Sequence, residues 1–229
     1  MSIGTNIEQV EDRIQRACDR SGRKRDEIKL VCVSKFQGLN AIDQALKAGI
    51  QIFGESRIQE GIEKFSVFRA GHTQVQIHFI GNLQSNKAKK AAGFFDCIQS
   101  VDRFSLIQEL GKAADFRNKE IVILLELHTG EATKSGFPDI DSLCRAAELC
   151  LEYRSVNLQG LMTMAPFTEN EQEIRASFRT LYKAGAVLKQ RFGEQVSCLS
   201  MGMSNDFEIA IEEGSTMLRI GTAIFDNKE

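Results

Sequence analysis

A chain of 229 residues with 42% hydrophobic and 26% charged side chains has apolar material for a sizeable buried core. Its formal net charge of −2 offers no basic field to nucleic acid or to an anionic membrane. No stretch has the apolar length of a membrane span, and residues 1–8 lack the basic and apolar regions of a signal peptide, so a cytoplasmic protein is expected. The cysteines (Cys18, Cys32, Cys97, Cys144, Cys150 and Cys198) are scattered without a Cys-x-x-Cys pair. His72, His78 and His128 lack ligand spacing, so no metal site is expected.

In chain order, Ile7, Val10, Ile14 and Ala17 recur at helical spacing, with Gly22 placed to stop the helix. Apolar, β-branched runs then predict strands over 28–33, 51–53, 75–80, 96–100, 121–127, 158–164, 196–201 and 217–220. Helical patterns lie between them. Ile140, Leu143, Ala147, Cys150 and Tyr153 mark one. Ser204 and Asp206 mark the start of another, running through Phe207, Ala210 and Ile211 to Gly214.

Strand–helix alternation implies parallel strands joined by crossover helices. The count predicts an α/β fold: a single (β/α)8 TIM-type barrel over residues 1–229 with an extra N-terminal helix. An open doubly wound sheet is the alternative. It is disfavoured because Ser34-Lys35-Phe36-Gln37-Gly38 after the first strand is not a G-x-G-x-x-G fingerprint.

Polar residues cluster just after the strands, the face on which barrel enzymes carry their sites. Two such loops, Ser200-Met201-Gly202-Met203-Ser204 and Gly221-Thr222-Ala223, follow the seventh and eighth strands, where barrels bind phosphate. Lys35 ends an apolar run. Partial burial there would lower its ammonium pKa, as Schiff-base chemistry requires. Arg219 shares a strand face with Met217 and Gly221. Spacing alone favours an ion pair with Glu55 or Glu126; a hydrogen bond to a heteroaromatic nitrogen is the functional alternative. An amine, an arginine and a phosphate cradle are the parts that a pyridoxal phosphate site needs. Lys87, Lys89 and Lys90 read as a solvated helix face, and Glu126 with Glu131 as structural carboxylates.

The chain resembles the pyridoxal phosphate homeostasis proteins, relatives of the N-terminal barrel of alanine racemase. The matching segments are Val31-Cys32-Val33-Ser34-Lys35, Phe53-Gly54-Glu55, His78-Phe79-Ile80-Gly81-Asn82-Leu83-Gln84-Ser85-Asn86-Lys87, Gly130-Glu131-Ala132-Thr133-Lys134-Ser135-Gly136, Leu199-Ser200-Met201-Gly202-Met203-Ser204 and Gly214 to Phe225. The resemblance implies a fold-type III barrel with pyridoxal phosphate (PLP) held on Lys35 as an internal aldimine. Arg219 would face the pyridine nitrogen, Ser200, Met201, Gly202, Gly221 and Thr222 would hold the phosphate, and Asn82 would lie near the cofactor. It also implies a monomer that buffers or delivers PLP, with PLP-dependent apoenzymes as recipients. Ser56, Leu127 and Asp226 depart from the family pattern. The inventory favours a carrier over a racemase-like enzyme. Tyr153 and Tyr182 fall in helical patterns away from the strand ends, and arginine at the ring nitrogen weakens the electron sink. His128 remains as an acid–base group for a weak activity.

Overall fold

The computed structural model describes residues 2–130 and 135–225. Helix α1 (Ile3–Ser21) starts at Ser2, whose Oγ accepts from the Thr5 amide at 3.1 Å. It stops at Gly22, which takes the left-handed conformation at φ 66° while the next amide, Arg23, reaches back to the Cys18 carbonyl. The chain then alternates through β1 (Lys29–Val33), α2 (Leu39–Lys47), β2 (Ile52–Glu55), α3 (Ile58–Gly71), β3 (Gln76–Phe79), α4 (Ala88–Phe94), β4 (Cys97–Val101) and α5 (Phe104–Arg117). It continues through β5 (Ile121–Glu126), α6 (Ile140–Cys150), β6 (Val156–Met162), α7 (Glu171–Phe192), β7 (Cys198–Ser200), α8 (Phe207–Glu212), β8 (Met217–Ile220) and α9 (Thr222–Phe225).

The strands pair in sequence order, all parallel, and β8 closes on β1, giving the expected closed barrel of eight strands. The seam register sets Val31 beside Arg219 and Cys32 beside Ile220. All eight predicted strands are present, the eighth with the expected bounds and the others with shifted ends. The seventh is shorter than its apolar run, and the sixth begins earlier, at Val156. The register of β5 against β6 shifts between Ile123 and Leu124. Near that irregularity sits Gly160, at φ 157°, with a Cβ position only 1.9 Å from the Cys198 carbonyl oxygen, so no side chain fits there.

Strand alternation sorts the apolar residues into two bodies. Leu30, Cys32, Phe53, Ile77, Phe79, Ile98, Leu199, Leu218 and Ile220 face outward and join the helix stripes in the main core. Phe53–Phe65 and Phe79–Phe95 ring contacts lie in that layer, with centroids 5.6 and 5.2 Å apart. A smaller cluster of Cys97, Leu124 and Met162, with Val122, Met164 and Cys198 against it, fills part of the lumen. Tyr153 lies beyond the end of α6, so that helix is shorter than its apolar pattern; its ring packs where a Cβ on Gly111 would stand, at 2.3 Å. Asp206 precedes α8 as expected, but its carboxylate accepts from the Met203 amide at 2.5 Å rather than capping the helix.

Candidate functional site

A closed parallel barrel gathers the carboxyl ends of all its strands on one rim. Lys35 lies just past β1, Asn82 past β3, Met201 and Gly202 past β7, and Gly221 and Thr222 past β8. The β1–β8 seam sets the Lys35 turn beside the Gly221 turn. A Cβ on Gly221 would stand 3.2 Å from the Val33 carbonyl oxygen. The two predicted phosphate loops are joined: Ser204 Oγ accepts from the Ala223 amide at 3.2 Å, and the Gly202 carbonyl accepts from the Arg219 amide at 3.0 Å. Gly202 holds φ at 100°, a conformation that glycine tolerates, and a Cβ there would stand 2.7 Å from Ala210. Asn82 is exposed on the same rim.

Lys35 is exposed, which corrects the expected partial burial. The strand ends at Val33, and the buried Ser34 intervenes before the lysine, so the apolar run stops short of it. The turn carrying Lys35 is instead held by a helix the sequence reading did not connect to it. Phe36 sits at φ 66°, strained for a non-glycine residue, with its amide donated to Glu60 Oε1 at 3.0 Å. The Arg57 guanidinium lies 4.9 Å from the centre of the Phe36 ring. Lys64 Nζ donates to the Ser34 carbonyl at 2.9 Å and to Glu55 Oε1 at 2.9 Å. Ser34 Oγ donates to that same oxygen at 2.7 Å. Thus Glu60 and Lys64, in the first turns of α3, hold the backbone on both sides of Lys35, and Arg57 covers the Phe36 ring. Glu55 is fully buried and its Oε2 has no hydrogen-bond partner. Burial pushes its pKa up, against the opposing pull of Lys64 and Ser34. Glu60 moves the other way, chiefly because the Phe36 amide favours its charged form.

Arg219 points into the lumen with Met217, as alternation predicts, and is 4% exposed. The favoured ion pair with Glu55 is corrected, since that carboxylate belongs to Lys64. The guanidinium donates to Ser200 Oγ at 2.6 Å and to the Thr163 carbonyl at 2.8 Å. Burial lowers its pKa to about 10, opposed by the nearby charges of Asp206 and Glu126, so it stays a cation at neutral pH. The chain of bonds continues inward. Arginine only donates, so the Ser200 hydroxyl proton goes to Gln99 Oε1 at 2.6 Å. The Gln99 amide nitrogen then faces His78 Nδ1 at 2.8 Å and Met217 Sδ at 3.2 Å. The Ser200 hydroxyl is therefore committed to the lumen, not offered to a phosphate loop. Met201 is buried, and its carbonyl accepts from Ser215 Oγ at 2.7 Å. His78 and Gln99 were not identified from the sequence as site residues. Their signal was a polar residue at an inward position of a strand.

A second hydroxyl chain lies beside Arg219. Thr163 Oγ1 donates to the Leu127 carbonyl at 2.8 Å and lies 2.6 Å from Thr129 Oγ1, which is 2.5 Å from Ser177 Oγ. Leu127, a departure from the family pattern, is buried among outward-facing core residues. Ser56, another departure, presents its carbonyl oxygen 2.2 Å from the Cβ position of Gly81. Residues 131–134 of the resemblance segment, including Glu131, and the departure at Asp226 lie outside the described residues. Tyr182 lies against Gly214, ahead of β8 and away from the rim.

A family model described as alanine racemase, N-terminal domain, matches residues 5–228. A pyridoxal phosphate homeostasis protein of Aquifex aeolicus (strain VF5) is 36% identical over 229 residues, covering 100% of each chain. The crystal structure of an unknown protein from Bifidobacterium adolescentis is 33% identical with a TM-score of 0.92, covering 97% of this chain and 94% of that one. PipY of Synechococcus elongatus PCC7942, solved with PLP bound, is 32% identical with a TM-score of 0.80 over 93% of this chain and 100% of its own.

Proposed function

Since the chain belongs to the family of pyridoxal phosphate homeostasis proteins, built on the alanine racemase N-terminal domain, we propose that it binds pyridoxal 5'-phosphate covalently through Lys35 and serves in intracellular buffering or delivery of that cofactor. The observation that carries this reading is the β1–β8 seam. It sets an exposed amine, a buried guanidinium and two linked glycine loops on neighbouring strands.

The donor set fits the group. Bound there, PLP supplies an electrophilic aldehyde and an electron-withdrawing pyridine ring. Lys35 offers the amine that reaches the aldehyde. Arg219 has five N–H donors, of which two are used by Ser200 and Thr163, leaving N–H groups for the ring nitrogen. A permanently cationic partner disfavours protonation of that nitrogen. The backbone of Gly202, Gly221 and Thr222 would hold the phosphate, and Asn82 would lie near the cofactor; the Met201 amide, expected to join them, donates instead to the Met217 carbonyl at 3.1 Å. Ser200 acts on the cofactor through Arg219, by fixing the guanidinium, in place of the direct phosphate contact expected of it.

The protein has no robust catalytic activity of its own in this reading. Tyr153 is packed on α5 and Tyr182, on α7, is packed against Gly214 ahead of β8, so neither is a base for amino-acid chemistry at the rim. Apoenzymes that use PLP are its recipients. The test is an absorption spectrum of the purified protein before and after borohydride, beside Lys35→Ala. A yellow band bleached by borohydride and absent in the variant is expected. A protein that takes up no added PLP overturns the reading, and turnover of a free amino acid at ordinary enzymatic rates overturns the carrier role.

A further inference from the structure

The opposite end of the barrel holds a cavity of about 270 Å³. Its wall includes the first residues of several strands, among them Lys29 of β1, Gln76 of β3 and Met217 of β8. His78 lines it from deeper in the lumen and is 5% exposed. The protonation of that imidazole follows from the far end of the polar chain. Arg219 can only donate, which orients Ser200, which orients the Gln99 carboxamide, which presents N–H to His78 Nδ1. Nδ1 is therefore the bare nitrogen, and the ring is neutral with its proton on Nε2. Among the described residues Nε2 has no hydrogen-bond partner, and it is the nitrogen left to face the cavity.

This N–H is reached from the cavity, so its acceptor is water or a ligand held there. The other polar groups on the wall show which kind. Lys29 brings an ammonium, and Gln76 and Gln159 bring carboxamides. The one wall carboxylate, Asp96, is already matched: Oδ2 accepts from Arg69 and, at 2.7 Å, from the Ile77 amide. Asp96 still acts on His78 with the sign opposite to Lys29, but the Arg69 guanidinium offsets its charge, which leaves Lys29 as the wall cation beside neutral donors. Ile52, Val122 and Leu124 complete the wall with apolar surface. We propose that this amino-terminal cavity binds a small monocarboxylate with a short apolar chain, its carboxylate on Lys29 and His78 Nε2–H and its tail against Ile52, Val122 and Leu124. The site is separate from the rim and does not depend on the cofactor reading.

The experiment is a titration of the full-length protein at neutral pH with butyrate, followed by the imidazole nitrogen resonances of His78. 1-Butanol serves as the uncharged control, and Lys29→Gln as the variant. Lys29 is exposed, so the substitution leaves the barrel folded. The untitrated spectrum should show Nε2 protonated and Nδ1 bare. Butyrate should shift Nε2 in a saturable way, and Lys29→Gln should weaken that binding about threefold to fivefold, as loss of an exposed charge contact implies. Butanol should bind more weakly. A histidine resonance indifferent to butyrate, indicating a cavity filled by water only, overturns the proposal. So does equal response in the variant, or butanol binding as well as butyrate.

Discussion

Lys64→Met tests the buried cluster beneath the Lys35 turn. Methionine keeps the apolar stem and removes the ammonium. The Lys64 side chain is 9% exposed and that of Glu55 is 0% exposed, so solvent does little to replace the lost partner. Glu55 would retain only the Ser34 hydroxyl on Oε1, with Oε2 unpartnered as before. Breaking a buried pair in this way costs about 3–5 kcal/mol, because a charge remains without compensation. The loss must depend on pH. Burial already raises the Glu55 pKa above its ordinary value of 4.5, and removing Lys64 raises it further. Between the ordinary and raised values the folded state binds more protons than the unfolded one. Stability therefore falls as pH rises through that window, by about 1.4 kcal/mol per pH unit. Urea unfolding followed by circular dichroism at about pH 5 and about pH 8 reads this directly, with the larger deficit at the higher pH. Glu55→Gln added to Lys64→Met should recover most of the loss. A deficit below about 1 kcal/mol, an equal deficit at both pH values, or no recovery in the double variant would refute the reasoning.

Three further outcomes follow from the lumen and the sheet. His78, with its pKa pushed down to about 4 by burial from an ordinary 6.5, is neutral when folded but protonates when unfolded, so stability should fall by roughly 3 kcal/mol as pH drops across that interval. A folded-state histidine resonance titrating near its ordinary value would contradict this. Ser200→Ala should cost about 1–3 kcal/mol in chemical denaturation, since it strands an Arg219 N–H and the Gln99 carbonyl oxygen in the lumen; unchanged stability would mean that the polar chain is not a stabilising unit. Gly160→Ala should lose about 3 kcal/mol or more, or yield no folded protein, because its Cβ would meet the Cys198 carbonyl; a melting temperature within a few degrees of the parent would show that the β6–β7 contact yields.

The barrel was legible because parallel strands buried on both faces write near-continuous apolar runs. Residues 121–127 and 217–220 announce themselves in this way. The rim was legible for a related reason: residues released from the ladder need glycine and hydroxyl groups, as at Gly202 and Gly221. Side-chain commitments were harder to read. Ser200 looks the same whether its hydroxyl faces a loop or the lumen, and only closure of β7 against β8 shows that Arg219 takes it. Glu55 cannot meet Arg219 because it shares a strand face with Phe53, which points outward to the helices and away from the lumen. Lys64, on the following helix, reaches it there. The expected burial of Lys35 failed because the apolar run measures the strand, and the chain turns outward at Ser34 before the lysine.

Closure of the barrel also has a temporal consequence. β1 and β8 share a four-residue register, and the Asn6 side chain donates to the Ile224 carbonyl across 218 positions of sequence. On a ribosome the amino-terminal strand emerges with one edge unpaired, and it stays so until nearly the whole chain has been translated. Contacts between such distant positions form slowly. The strand that leads to Lys35 and the strand that carries Arg219 therefore pair only at the last step of assembly. A nascent or truncated chain lacking the final strand would carry the lysine but not the arginine-bearing strand that closes the barrel beside β1.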